Sequence, residues 1–117
     1  MKVETMLITL TDGNLQKEVI ENPDPVLVEF GADWCGTCHI YAPMMKELAV
    51  DFKGQIQIGR LNVDKNDLAT SEYGIVELPT LLFFKNGQVV DHIIGAVPKK
   101  ELRDKVKAIF EPYGEYL

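Results

Sequence analysis

The order of strand and helix signals along these 117 residues, βαβαβαββα, predicts an α/β fold: a central mixed β-sheet of about five strands flanked on both faces by about four helices. Three observations carry that expectation. Val26-Leu27-Val28-Glu29-Phe30-Gly31 is almost continuously apolar, the pattern of a central strand buried on both faces. Trp34-Cys35-Gly36-Thr37-Cys38 follows at once and opens a long helical pattern. Thr80 to Lys85 and Gln88 to Ile94 are joined by Asn86-Gly87, the strongest short-range signal for an antiparallel hairpin with a two-residue turn.

The remaining elements follow in order. Thr5 to Leu10 reads as a short first strand, and Asn14 to Glu21 as a short helix with Asp12 as its candidate cap. Asn22-Pro23-Asp24-Pro25 breaks the chain ahead of the central strand. The helix from Cys35 to about Asp51 sets Tyr41, Met44, Met45, Leu48 and Phe52 near one face. Pro43 lies inside it and removes one backbone hydrogen bond, which predicts a kink, and Gly54 ends it. Gln57 to Asn62 is the next strand, and Asp67 to Tyr73 a short helix closed by Gly74. After the hairpin, Pro98 to Phe110 reads as a last helix with Leu102, Val106, Ile109 and Phe110 as its buried stripe. Pro98 marks its first turn well, whereas Lys99 and Lys100 oppose the helix dipole there. Residues 111–117 form a short tail, and 1–117 reads as a single domain.

Composition narrows the function classes. A net charge of −6 argues against a nucleic-acid partner or an anionic membrane surface. No apolar run approaches the ~20 residues that span a bilayer. Glu4, Thr5 and Thr9 interrupt the first ten residues, which therefore lack the apolar core of an export signal. A cytoplasmic protein is the expectation. Two cysteines are too few for a disulfide scaffold, and a C-x-x-C beside a βαβ pattern reads as a redox pair.

On a helix, residues i and i+3 lie about 5–6 Å apart on one face, and a disulfide asks for Cα atoms at roughly the same separation. Cys35 and Cys38 can therefore join and part with little backbone movement. The unpaired N–H groups and positive dipole end of a helix start also favour thiolate over thiol. Geometry and electrostatics both point to reversible dithiol chemistry.

Glu29 is the second clue. A carboxylate inside Val-Leu-Val-Glu-Phe belongs on a buried strand only if it is paired or protonated. Burial raises a carboxyl pKa toward neutrality, which suits a general acid/base near pH 7. The alternative is a side chain turned to solvent or used only in packing.

From Thr5 to Phe110 the chain resembles thioredoxin. The resemblance rests on Trp34-Cys35-Gly36-Thr37-Cys38, Ala42-Pro43, Asn62-Val63-Asp64, Tyr73-Gly74-Ile75, Leu78-Pro79-Thr80, Phe84-Lys85-Asn86-Gly87 and Gly95-Ala96, in that order. It implies the thioredoxin fold and a protein-disulfide reductase, a monomer with no bound cofactor or metal. Its redox-active disulfide, Cys35–Cys38, would be reduced by a separate thioredoxin reductase, NADPH- or ferredoxin-dependent, and would act on disulfide-containing proteins. Cys35 would be the exposed nucleophile that forms a mixed disulfide, and Cys38, further in, the resolving thiol. Glu29 would take the proton of Cys38, at a position where the family mostly carries Asp. Arg60 matches a position usually held by Lys; it would pair with Glu29 and keep it ionised, or else lie on the surface as an ordinary strand-end arginine. The resemblance makes the Leu78–Pro79 bond cis and exposes the Leu78 backbone to an extended substrate. Trp34, Gly36, Ile75, Pro79, Gly95 and Ala96 would form a flat, mostly apolar lip around Cys35.

Three departures stand out. Thr37 replaces a common Pro, and its hydroxyl and N–H could donate toward a Cys35 thiolate, which would make the protein more oxidising. His39 stands where Lys or Arg is frequent, and Gly31 where an aromatic residue often lies. Other readings compete. Cys35-Gly36-Thr37-Cys38-His39 matches the c-type haem attachment motif. Cys35, Cys38, His39 and His92 could nominally ligate Zn²⁺. A redox-inert interaction module is a third, and a disulfide isomerase or oxidant of the same superfamily is the nearest.

Overall fold

The computed structural model describes residues 7–110, the side chain of Phe110 excepted. The expectations for Thr5, for the Phe110 side chain and for the tail at 111–117 fall outside those residues. Five strands, β1 (Leu7–Leu10), β2 (Val26–Gly31), β3 (Gln57–Asn62), β4 (Thr80–Lys85) and β5 (Gln88–Ile94), form one sheet in the order β1-β3-β2-β4-β5. β3 runs parallel to both β1 and β2, while β4 is antiparallel to β2 and β5 to β4. The sheet is mixed, as the sequence order predicts.

The apolar run of β2 is buried at every position, and its alternation assigns the two faces. Leu27 joins Ile58, Leu81, Phe83 and Ile93 beneath two long helices, α2 (Gly36–Asp51) and α4 (Lys99–Phe110). From α2 come Tyr41, Met45, Leu48 and Ala49, and from α4 Leu102 and Val106. Val26, Val28 and Phe30 point the other way, with Leu10, Leu61, Leu82 and Phe84. There they meet Leu15 and Val19 of the first helical segment and Ala69 of α3 (Asp67–Glu72). By the same parity Glu29 and Gly31 fall on the α2 face. Arg60, which pairs with Glu29 in the parallel register, falls there too. That placement sets up the site.

Local signals explain the termini. Asn86 and Gly87 both take positive φ, 54° and 78°, as a two-residue turn between twisted strands requires. α2 runs unbroken through Pro43. Lys99, unfavourable against the helix dipole, instead pairs with Glu47 of α2, while Arg103 pairs with Asp51.

Two details differ from expectation. The segment Gln16–Ile20, here α1, is wound as a π-helix. Asp12 does not cap it. Thr11 and Asn14 instead bond reciprocally in the turn ahead of it, Thr11 N donating to Asn14 Oδ1 at 2.8 Å and Asn14 N to Thr11 Oγ1 at 3.2 Å. Asp12 reaches across the fold and accepts from Leu68 N and Ala69 N, at 3.2 and 2.8 Å, so it caps the first turn of α3.

Candidate active site

Cys35 is the N-cap of α2, with extended backbone (φ −86°, ψ 107°), and its Sγ accepts from Cys38 N at 3.1 Å. The two cysteines are joined by a disulfide with Cα atoms 5.3 Å apart, within the range read from the spacing. Cys35 is 6 % exposed and Cys38 1 %, so both are covered and the expected contrast between them shrinks to an edge of Cys35. They pack with Ala32, Val63 and Leu78. Thr37 is exposed, and the hydrogen bond that reaches Cys35 Sγ comes from the Cys38 amide rather than from Thr37.

Around the pair, the loop after β2 is tied down twice. Trp34 is 70 % exposed, yet its Nε1 donates to Asp64 Oδ2 at 2.8 Å. His39 Nε2 lies 2.7 Å from the Asp33 carbonyl. Leu78–Pro79 is cis, and the Pro79 carbonyl accepts from Gly95 N at 2.8 Å, which joins two of the expected lip segments. Tyr41, which the sequence places only in the apolar face of α2, holds the second of these, the Gly95 segment. Its hydroxyl donates to Gly95 O at 3.2 Å and accepts from Val97 N at 2.7 Å. Gly36 and Ala96 are exposed, and Ile75, Leu78 and Gly95 half-buried, but Pro79 itself is buried and shapes the lip from beneath. Val76, 90 % exposed next to Ile75, adds apolar surface that the sequence reading missed.

Glu29 is fully buried. Its Oε1 accepts from Arg60 Nε at 2.7 Å, while Oε2 has no hydrogen-bond partner. Desolvation pushes the carboxyl pKa up; the charge and hydrogen bond of Arg60, and more weakly the charge of His39, pull it down, and burial wins. Arg60 therefore pairs with Glu29 as the resemblance implies, and it lowers a carboxyl pKa that burial nevertheless leaves raised. Glu29 is thus not turned to solvent, while the Arg60 side chain, paired with it, is 35% exposed.

Gly31 carries more than a missing aromatic ring. A Cβ there would lie 3.2 Å from Cys38 Sγ and 3.6 Å from Glu29 Oε2, so the glycine lets Cys38 pack closely against β2 near the carboxylate. For the zinc reading, Cys35 and Cys38 are bonded to each other and His92 sits on β5, at the sheet edge. Among the described residues no group of three or more His, Cys, Asp or Glu is placed to hold a metal ion.

A family model, Thioredoxin, matches residues 6–108. The chain belongs to the thioredoxin family. It is 45% identical over 93 residues to Thioredoxin 1 of a Nostoc species, covering 80% of this chain and 87% of that protein. Thioredoxin of Chlorobaculum thiosulfatiphilum is 43% identical over 96 residues, 82% and 89% of the two chains. The chloroplastic M-type thioredoxin of Pisum sativum is 45% identical over 98 residues, 84% of this chain and 57% of that one. With its disulfide-forming pair in this setting, the protein is a thiol–disulfide oxidoreductase of the protein-disulfide reductase type.

Proposed function

We propose that this thioredoxin works as a monomeric, single-domain electron carrier, reducing disulfides in proteins with Cys35 as nucleophile and Cys38 as resolving thiol. The observation that supports this reading most directly is the position of the pair. Cys35 caps α2 with a backbone N–H aimed at its sulfur, and Cys38 lies one turn inward beside a buried carboxylate. In the reduced protein the Cys35 thiolate attacks a substrate disulfide. A Cys35–substrate bond forms, and the departing substrate sulfur takes the electron pair. Glu29 then accepts the Cys38 proton, and the Cys38 thiolate attacks Cys35 Sγ. The intramolecular disulfide forms, the second substrate sulfur leaves as thiolate, and two electrons have passed to the substrate.

Trp34, Gly36, Thr37, Ile75, Leu78, Gly95 and Ala96, over buried Pro79, form the surface that receives the substrate, and the Leu78 backbone pairs with an extended segment of it. A separate reductase, NADPH- or ferredoxin-dependent, returns electrons to the pair, with no cofactor bound to this chain. The setting we propose is a reducing compartment, the cytoplasm, where a single exchangeable disulfide is kept supplied with electrons. None of the helices described is long and apolar enough to cross a membrane. Small amounts of the protein should accelerate reduction of insulin by dithiothreitol, seen as earlier turbidity from the released chains. A turbidity trace unchanged from dithiothreitol alone would contradict the reading.

A further inference from the structure

The layer of α1 and α3 that covers one face of the sheet stops at β4. Its core draws on β1, β2, β3 and β4 but takes no residue from β5. In the register of the hairpin, Ile94, His92 and Val89 stand opposite Thr80, Leu82 and Phe84 and so face that same side. Ile93 points the other way into the opposite core, which leaves β5 covered on one face and open on the other. Ile94 is 54% exposed and Val89 43%. Between this open face and the 73–77 loop lies a groove of about 220 Å³, with buried Thr80 and Leu82 at its base and Val76 and Glu77 on the loop side. Exposed aliphatic side chains gathered round one groove mark an interaction site, whereas single ones scattered over a surface do not.

We propose that this groove is a second anchoring site for the disulfide-bearing substrate, taking an aliphatic side chain and an adjacent basic one from the extended segment that crosses the lip. The proposal rests on the reading of the lip as the surface that receives the substrate. Continuity is the first argument for this occupant. Ile75 lines both the lip and the groove, Thr80 follows Pro79, and Ile94 precedes Gly95. A chain whose backbone pairs at Leu78 therefore meets the groove directly. Size is the second: the groove lies below the roughly 300–1,000 Å³ of a small-molecule site but has room for a side chain. Charge is the third. The one formal charge lining the groove at pH 7 is the Glu77 carboxylate, which pairs with no cation among the described residues and so calls for Lys or Arg in the segment. A further strand added to the edge of β5 fits less well. Phe84 pairs with Val89 and Phe83 with Asp91, so Val90 is an extra residue that bulges the edge and interrupts its ladder, and Lys105 holds Asp91 there.

The test uses disulfide-closed peptides whose flank carries Leu-Lys, Ser-Lys, Leu-Glu or Ser-Glu, the pair being moved along either side of the disulfide. Their reduction by catalytic amounts of the protein, with dithiothreitol as electron donor, is followed by chromatography after subtracting the rate with dithiothreitol alone. At its best position the Leu-Lys peptide should exceed the Ser-Glu peptide in kcat/KM by about tenfold, carried by KM, at the low end of what burying one aliphatic side chain is worth. Val89→Ser should erase the preference for Leu over Ser and keep that for Lys over Glu. Glu77→Lys should reverse the charge preference and keep that for Leu. Equal rates for all four peptides at every position, or preferences that neither variant alters, would overturn the groove. So would sedimentation showing a native dimer that Val89→Ser dissociates, since the groove would then hold a second copy of the chain. If no peptide is reduced faster than by dithiothreitol alone, the reductase reading itself fails, and the two failures are thereby told apart.

Discussion

Cys35→Ser abolishes turnover of protein disulfides, while Cys38→Ser turns the protein into a trap that keeps its substrate. The two sulfurs are bonded to each other and differ little in exposure, so their roles rest on position. Cys35 caps α2 at the edge of the loop held by Trp34 and Asp64; Cys38 lies one turn inside, packed closely against Gly31 near the Glu29 carboxyl. Removing the attacking sulfur leaves no route to a mixed disulfide, and turnover should fall by about 10⁴-fold or more. Removing the resolving sulfur leaves the first step intact and blocks the second. Mass spectrometry of Cys38→Ser incubated with a protein disulfide should show a covalent adduct at Cys35 that dithiothreitol releases. An adduct formed by Cys35→Ser through Cys38, and none in Cys38→Ser, would reverse the assignment.

Glu29→Gln should slow resolution by about 10²-fold, the lower end for loss of a positioned base, and flatten the pH–rate profile near neutrality. Burial raises the Glu29 pKa, so in the native protein the accepting carboxylate becomes populated, and the rate rises, as pH climbs through that raised value. The same shift has a stability consequence of opposite sense. A folded-state pKa above the unfolded one means the fold binds the proton more tightly than the unfolded chain does. The native protein is therefore favoured by this group below its ordinary value of 4.5, and loses that advantage as pH rises through the raised folded-state value. Glutamine removes the loss. At alkaline pH the Glu29→Gln protein should exceed the native one in denaturant stability by about 1–3 kcal/mol, as when a costly buried charge is replaced by a neutral group. The gap should narrow toward pH 4. Arg60, 35% exposed, can turn to water once its partner is neutral. Equal stability at every pH would show that burial does not dominate this carboxyl.

The elements legible in the sequence are those whose cause is local. The β2 run, the α2 face with Tyr41, Met45 and Leu48, and the Asn86-Gly87 turn each carry their signal within a few residues. Glu29 was legible for the same reason, as a charge inside an apolar run. What escaped depends on partners far along the chain. Asp12 caps a helix 56 residues away, the Tyr41 hydroxyl meets Gly95 across 54, and Trp34 meets Asp64 across 30. The groove beside β5 arises only when the 73–77 loop is brought against the β4–β5 hairpin, and no local pattern gives a hint of it. The cis bond before Pro79 runs against the ordinary preference of X–Pro bonds and was legible through family resemblance alone.

The most direct measurement is the pH dependence of alkylation of the fully reduced protein by iodoacetamide, mapped to each cysteine by peptide mass. Amide N–H groups opening α2 should make Cys35 react first, with a midpoint below the ordinary thiol value of about 8.5, while Cys38 lags at every pH. Two cysteines that alkylate together, with the midpoint of a free thiol, would contradict the account.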